Sequence, residues 1–320
     1  MKKRVHLNDL KVGMFVEDTE GNSSDVSAKS NCFLISSAVE IDCLLKNNVL
    51  SVVINTSKGM GLDKAVGSGK VASVSAHKSE LNLRFASAEI AAATQTIDHI
   101  APHIRQVLVD VRNGRDIAAN LVNDAVDHVL TAALSNTAAL LSLLRLKKKD
   151  NGTFLHSVAV SVLMVTFGRE LGLEHDELRQ LGIAGLVHDL GKMRLPSIIL
   201  QNTGRLTDAE VSVVQTHPYQ GFSLLQRMQG IQTTALDVTL FHHEKYDGSG
   251  YPKNLKGANI PFSARIAAIC DVYDALTTVR PYKRAWSQAE ALDLMLRSRG
   301  HFDPHLLEAF ISRVIVRGKS

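Results

Sequence analysis

Five histidines in this 320-residue chain stand inside otherwise apolar stretches. They are His156 in FLHSVAV, His188 in AGLVHDLG, His217 in VVQTHPY, and His242 and His243 in VTLFHHE. Asp189 and Asp271 share that setting. One such histidine reads as a core residue satisfied by a neighbour. Five, together with two carboxylates, call for a common partner, because buried polar groups need hydrogen bonds and buried carboxylates need cations. A metal cluster satisfies all seven at once. An imidazole offers one ion a neutral nitrogen, whereas a carboxylate has two oxygens and can bridge two ions.

The dipeptide His-Asp is by itself a weak signal, since it occurs twice. His175-Asp176 lies in LEHDELR, polar on both sides, and reads as a solvated helix start. His188-Asp189 follows the apolar GIAGLV. On a helix the two side chains point about 100° apart, so the pair can serve neighbouring metals. Lys192, four residues after His188, falls on the same helical face and is placed to hold an anion beside the metals. The segment FHHEKYDGSGYP then joins two histidines to a glycine-rich turn. Asp247-Gly248 and Ser249-Gly250 turn the chain sharply. Gly250 and Tyr251 are thereby expected beside the cluster, where backbone and ring can meet a ligand.

These residues belong to helices. From about Leu81 the apolar period is helical throughout. Pro102, inside SAEIAAATQTIDHIAPHIRQVLVDVR, should bend or split the first long helix. Thr207 to Glu210 and Ser287 to Glu290 are capping boxes. Lys147 to Lys149, followed by DNG, read as cations at a helix C-terminus. Residues 1–75 differ: short β-branched runs around one helical stretch, AVEIDCLLKNN, predict a small α+β domain. A Gly/Ser/Lys-rich stretch from Gly59 to Ser79 reads as a linker. The fold class is therefore mainly α: a small α+β N-terminal domain at 1–75, linking helices at 76–148 and an all-helical domain at 149–320.

Composition limits the rest. A net charge of +4 fits an anionic ligand without demanding a nucleic acid polymer. Cys32, Cys43 and Cys270 are too scattered for a disulfide framework or a cysteine zinc site, which points to a reducing, cytoplasmic setting. MKKRV is followed by HLNDLKVG, without the apolar core of a signal peptide. No apolar run approaches the ~18 residues of a membrane span.

HDLGKMRLP followed by HHEKYDGSGYP resembles the HD-GYP family of cyclic di-GMP phosphodiesterases, a branch of the HD phosphohydrolases. FLHS, THPYQG, CDVYDALT and RPYKRAW extend the resemblance, in family order, from Lys149 to the C-terminus. LKVGMFV and INTSKG are similar to the domain of unknown function often found ahead of such domains. The resemblance implies two divalent metal ions, iron or manganese by family precedent, with nickel and zinc also compatible with nitrogen-rich sites. It implies that Asp189 bridges them, with His156, His188 and Asp271 completing one site and His217, His242 and His243 the other. Some members hold a third metal with a glutamate four residues before the first histidine; here that residue is Gly152, so two metals are expected. Arg280 and Lys283 match family positions that contact the ligand's phosphates or guanines.

The implied reaction is hydrolysis of cyclic di-GMP to linear pGpG, and on to GMP, by a metal-bridged hydroxide, with Lys192 stabilising charge on the phosphate. The alternatives are hydrolysis of another cyclic dinucleotide such as cyclic GMP-AMP, a non-catalytic cyclic di-GMP receptor that signals through a partner, and a generic HD nucleotidase, against which the complete Gly-Tyr-Pro segment argues. A homodimer or signalling partner proteins are the expected assemblies.

Overall fold

The computed structural model of the chain describes residues 2–6, 10, 14–21, 33–35, 49–58, 84–135, 137–146, 152–200, 202, 204–278 and 286–316. Two compact units divide the chain, Met1–Val71 and Ala72–Ser320.

In the first unit, β1 (Lys2–His6), β2 (Phe15–Gly21), β3 (Phe33–Leu34) and β4 (Val49–Asn55) form an antiparallel sheet in the order β1-β4-β2-β3. Side chains two apart on a strand share a face, and Val52 and Ile54 accordingly join Val5 and Val16 in a small core with Leu10, Met14 and Ile35. The helix expected at 38–48 and the linker expected at 59–79 lie outside the described residues.

The second unit is helical. It begins with α1 (Ser87–Arg112), α2 (Ala119–Ser135) and α3 (Thr137–Leu146). Of the two outcomes expected at Pro102, the split does not occur: α1 runs through it. Proline removes a single backbone donor, and Ile97, Ile100 and Ile104 on either side of it stay buried in one continuous face. These helices pack into the same hydrophobic core as α4 (Gly152–Glu170) and α5 (His175–Val187). A helix apolar on all sides belongs in the middle of a domain, and α4 buries Val158, Val160, Leu163, Met164, Val165 and Phe167 around its circumference. Small residues bring α5 close against it: a Cβ on Gly185 would stand 2.5 Å from Ser161 Cα, and Ser161 Oγ donates to the Gly182 carbonyl at 2.6 Å.

A 3-10 turn (Leu190–Arg194) follows, then α6 (Ser197–Leu200), α7 (Asp208–Val214), α8 (His217–Leu225) and α9 (Thr233–Phe241). Next come α10 (Phe262–Thr277), α11 (Gln288–Arg297) and α12 (Pro304–Ala309), which runs into a π-helical segment, Phe310–Val316. Both capping boxes form: Thr207 accepts from the Glu210 amide at the head of α7, and Ser287 from the Glu290 amide at the head of α11. Among the described residues no helix is long and apolar enough to cross a membrane.

Candidate metal centre

Six of the seven singled-out residues sit at or near helix ends, and Asp271 faces them from inside a helix. His156 lies in the second turn of α4, and His188 caps the C-terminus of α5 with Asp189 next to it. His217 opens α8, His242 caps α9 and precedes His243, and Asp271 lies on α10. They form two groups with donor atoms all within 4.8 Å: Asp189, His217, His242 and His243 in one, His156, His188 and Asp271 in the other.

Asp189 stands between them. Its Oδ1 lies 3.3 Å from His217 Nε2 and 3.6 Å from His242 Nε2, while its Oδ2 lies 3.4 Å from His188 Nε2 and 3.9 Å from His156 Nε2. One carboxylate thus offers one oxygen to each group.

The ring nitrogens facing away from the cluster fix the tautomers. Nδ1 of His188 is 2.8 Å from the Gly185 carbonyl, Nδ1 of His217 is 2.7 Å from that of Val214, and Nδ1 of His242 is 2.9 Å from that of Val238. Carbonyls only accept, so these three nitrogens carry the proton and the three Nε2 lone pairs point inward. His217 Nε2 faces His242 Nε2 at 3.5 Å, a repulsive arrangement without a cation between them. His188 Nε2 and Asp189 Oδ1 are fully buried and have no hydrogen-bond partner. Inward lone pairs, a two-faced carboxylate and orphaned buried acceptors fit a pair of divalent ions.

The electrostatics agree. Burial opposes ionisation of Asp189, but the Lys192 ammonium beside it holds its carboxyl well below the usual carboxylate range. Burial likewise opposes ionisation of Asp271, and the hydrogen bond from His156 outweighs it. Burial would lower His156, but hydrogen bonds to Asp271 (2.9 Å) and Asp274 (2.8 Å) push it up to about 10. Burial, helped by neighbouring imidazoles, depresses His242 and His243. Asp189 and Asp271 are thereby ionised and His242 and His243 neutral, the protonation states metal ligands require, whereas His156 carries a proton that it must give up to bind an ion.

Two geometric expectations are corrected. His188, the cap after Val187, keeps helical dihedrals, and Asp189 has already left the helix at φ −103°, ψ 8°. Lys192 therefore reaches the centre through the 3-10 turn, not along an α-helical face, and its Nζ lies 2.5 Å from Asp189 Oδ2. The turn can sit there because Gly191 has no side chain: a Cβ would overlap the His217 carbonyl oxygen and come within 2.6 Å of the Gly221 amide.

In the segment after His243, Gly248 does take a positive φ of 88°, and Asp247 Oδ1 accepts from the Ser249 amide at 2.8 Å. Gly250 needs glycine for space instead. A Cβ there would run into the backbone of Glu244 and Lys245. The Tyr251 ring stacks on His243 with centroids 4.8 Å apart. Burial and the charges of Asp189 and Asp271 push its phenol up, leaving a hydrogen-bond donor at the rim of the centre. Arg280 and Lys283 lie outside the described residues.

A family model described as an HD domain matches residues 119–306, more than half of the chain. The chain belongs to the HD domain family. A second model, a domain of unknown function designated DUF3391, matches residues 2–122 of this HD domain protein. A Pseudomonas aeruginosa protein named cyclic di-GMP phosphodiesterase PA4108 is 38% identical over 318 residues, covering 98% of this chain and 77% of that protein. The Xanthomonas campestris cyclic di-GMP phosphodiesterase response regulator RpfG is 42% identical over 166 residues, covering 51% of this chain and 44% of that protein. A Vibrio cholerae 3′3′-cGAMP-specific phosphodiesterase is 38% identical over 165 residues, with 51% and 38% covered. The chain thus spans less than half of the length of the latter two. In fold, Bd1817, an HDG"Y"P protein from Bdellovibrio bacteriovorus, superposes with a TM-score of 0.59 at 16% identity, covering 99% of this chain and all of that one.

Two residues that complete the HD domain's centre escape a reading of the sequence. Glu244, buried, accepts from the Lys253 amide at 2.6 Å and the Leu255 amide at 3.0 Å, pinning the loop that carries Tyr251. Asp274, also buried, holds His156 Nδ1 through Oδ2 and accepts from the Thr278 hydroxyl at 3.1 Å through Oδ1. Its only sequence signal is its place one turn after Asp271, on the same helical face. Asp274→Asn should weaken metal binding at the His156 group by about ten- to a hundredfold, the usual cost of losing such an outer partner. Chelator competition followed by metal analysis checks this: one ion should be lost early and the other retained, and equal loss of both contradicts it.

Proposed function

We propose that this chain is a metal-dependent hydrolase that opens cyclic di-GMP to linear pGpG and on to GMP. The reading rests on one observation above others: Asp189 divides its two oxygens between two histidine-rich groups. The names of the relatives supply the substrate class. Two divalent ions held there, iron or manganese in preference to nickel or zinc, would supply Lewis acidity and an acidified water.

The chain's own residues have separate tasks in this proposal. His156, His188 and Asp271 hold one ion, His217, His242 and His243 the other, and Asp189 both. Lys192 carries a fixed positive charge beside Asp189, where it stabilises negative charge growing on the phosphate. Tyr251, backed by His243, offers a ring face to a guanine and a phenol proton to an oxygen. Gly250 lets the loop fold so that Tyr251 reaches the rim. Arg280 and Lys283 grip the dinucleotide. Residues 1–75 form a regulatory domain, 76–148 linking helices and 149–320 the catalytic region, working in the cytoplasm as a homodimer or with signalling proteins.

Arg280→Ala should weaken cyclic di-GMP binding by about ten- to a hundredfold, the loss of one charge-assisted hydrogen bond, with metal content intact. Arg280→Lys should be impaired too, since lysine cannot copy a bidentate contact. Wild-type affinity in both variants would remove this segment from the substrate site. The proposed substrate is tested by turnover of the anaerobically purified protein on a panel of cyclic dinucleotides. Preferential cleavage of cyclic di-GMP is expected, and preferential cleavage of 3′3′-cGAMP would transfer the assignment to that substrate.

A further inference from the structure

A cavity of about 580 Å³, within the size range of small-molecule sites, lies toward the end of α4 remote from His156. It is lined there by Leu163, Thr166 and Arg169. Arg169 is 13 residues beyond His156, roughly 20 Å along a helix.

The lining is strongly cationic. Arg84, Arg145, Arg169 and Arg313 all contribute, against a single carboxylate, Glu170, among the described lining residues. Two of the four are engaged. Arg169 donates to the Ala133 carbonyl at 3.2 Å and pairs with Glu170 at 3.4 Å, while Arg313 donates to the Glu170 carbonyl at 3.0 Å. Among the described residues, Arg84 and Arg145 pair with no carboxylate. The Nε of Arg145 is buried without a hydrogen-bond partner, and its guanidinium lies 5.5 Å from the Tyr273 ring centre. Tyr273 is itself wholly buried, with a hydroxyl that has no partner. Buried donors are rarely left unmade, and each such group calls for an explanation.

We propose that this cavity binds a small organic phosphate of mononucleotide size, at a site separate from the metal centre. Guanidinium forks from several directions outnumber what the two oxygens of one carboxylate can accept, whereas a phosphate presents three. Thr137 and Ser142 add hydroxyls to the lining, and Leu141, Leu163 and Val314 cover the carbon part of the ligand. The proposal does not depend on the reaction assigned to the metal centre.

The test is calorimetric titration of the metal-loaded full chain with inorganic phosphate and with adenosine monophosphate. It is repeated on Arg145→Gln, which removes a charge, and Ser142→Asp, which puts a carboxylate into the cavity. The mononucleotide should bind more tightly than phosphate. Both variants should lose about tenfold or more in affinity while hydrolysing cyclic di-GMP as the parent protein does. Circular dichroism establishes that each variant is folded; if Ser142→Asp is not, Arg145→Gln decides alone. Unchanged affinity in the folded variants would place the ligand at the metal centre and overturn the proposal. So would the absence of binding by either probe up to roughly 10 mM, beyond the weak end of ligand affinity.

Discussion

Asp189→Asn is expected to abolish hydrolysis and to empty at least one metal position. The amide keeps the shape of the carboxylate but loses its charge and one of its two acceptor oxygens. Either the His217 and His242 side or the His188 and His156 side then faces an NH2 group instead of an oxygen. Lys192 simultaneously loses the negative charge of the partner that lies 2.5 Å away. Removing one preorganised electrostatic group costs about 10²–10³ in rate, and losing an ion costs more, so turnover should fall by at least about a thousandfold. Metal analysis beside a product assay checks both parts. Full occupancy with near-parental turnover would show that Asp189 does not bridge.

Glu244→Ala should be the most damaging change outside the ligand set. It strips the Lys253 and Leu255 amides of a shared, buried, charged acceptor. Hydrogen bonds to charged groups contribute about 1.5–3 kcal/mol each, so the loss is about 3–6 kcal/mol. For a chain of this size that lowers the melting temperature by about 5–10 °C. The loop from Tyr246 to Asn254 would also lose its seat, and with it the stacking of Tyr251 on His243. Hydrolysis should drop at least about tenfold while the ions stay bound. Thermal melts, turnover and metal content together separate this from loss of the centre; an unshifted melt with parental turnover would contradict it.

The seven candidate ligands are legible in the sequence because each places a polar group inside an apolar run, and burial there has to be satisfied. The convergence of four helix ends on α10 is not legible, since it depends on how α4, α5, α8, α9 and α10 pack. Asp274 is missed for that reason: its partner His156 lies 118 residues away in sequence. Glu244 is missed because HHEKYD looks solvated when its side chains are counted without their loop. Lys192 illustrates a wrong period: counting by α-helical turns sets it on the face of His188, whereas the chain tightens into a 3-10 turn after Asp189. At Pro102 the helix does not split, and buried Ile97, Ile100 and Ile104 lie on either side of the proline. Gly250 reads as a turn former but serves as a spacer.

The central claim is that two ions, bridged by Asp189, act on a cyclic dinucleotide. Gly152 opens α4 four residues before His156 and brings no ligand for a third. The most direct measurement is metal content against turnover: anaerobically purified protein is stripped with chelator, reloaded stepwise with iron or manganese, and assayed for cleavage of cyclic di-GMP at each step. The account predicts that activity rises to a plateau at two ions per chain. Full occupancy at two ions with cyclic di-GMP bound but uncut would contradict it and leave a receptor in place of an enzyme.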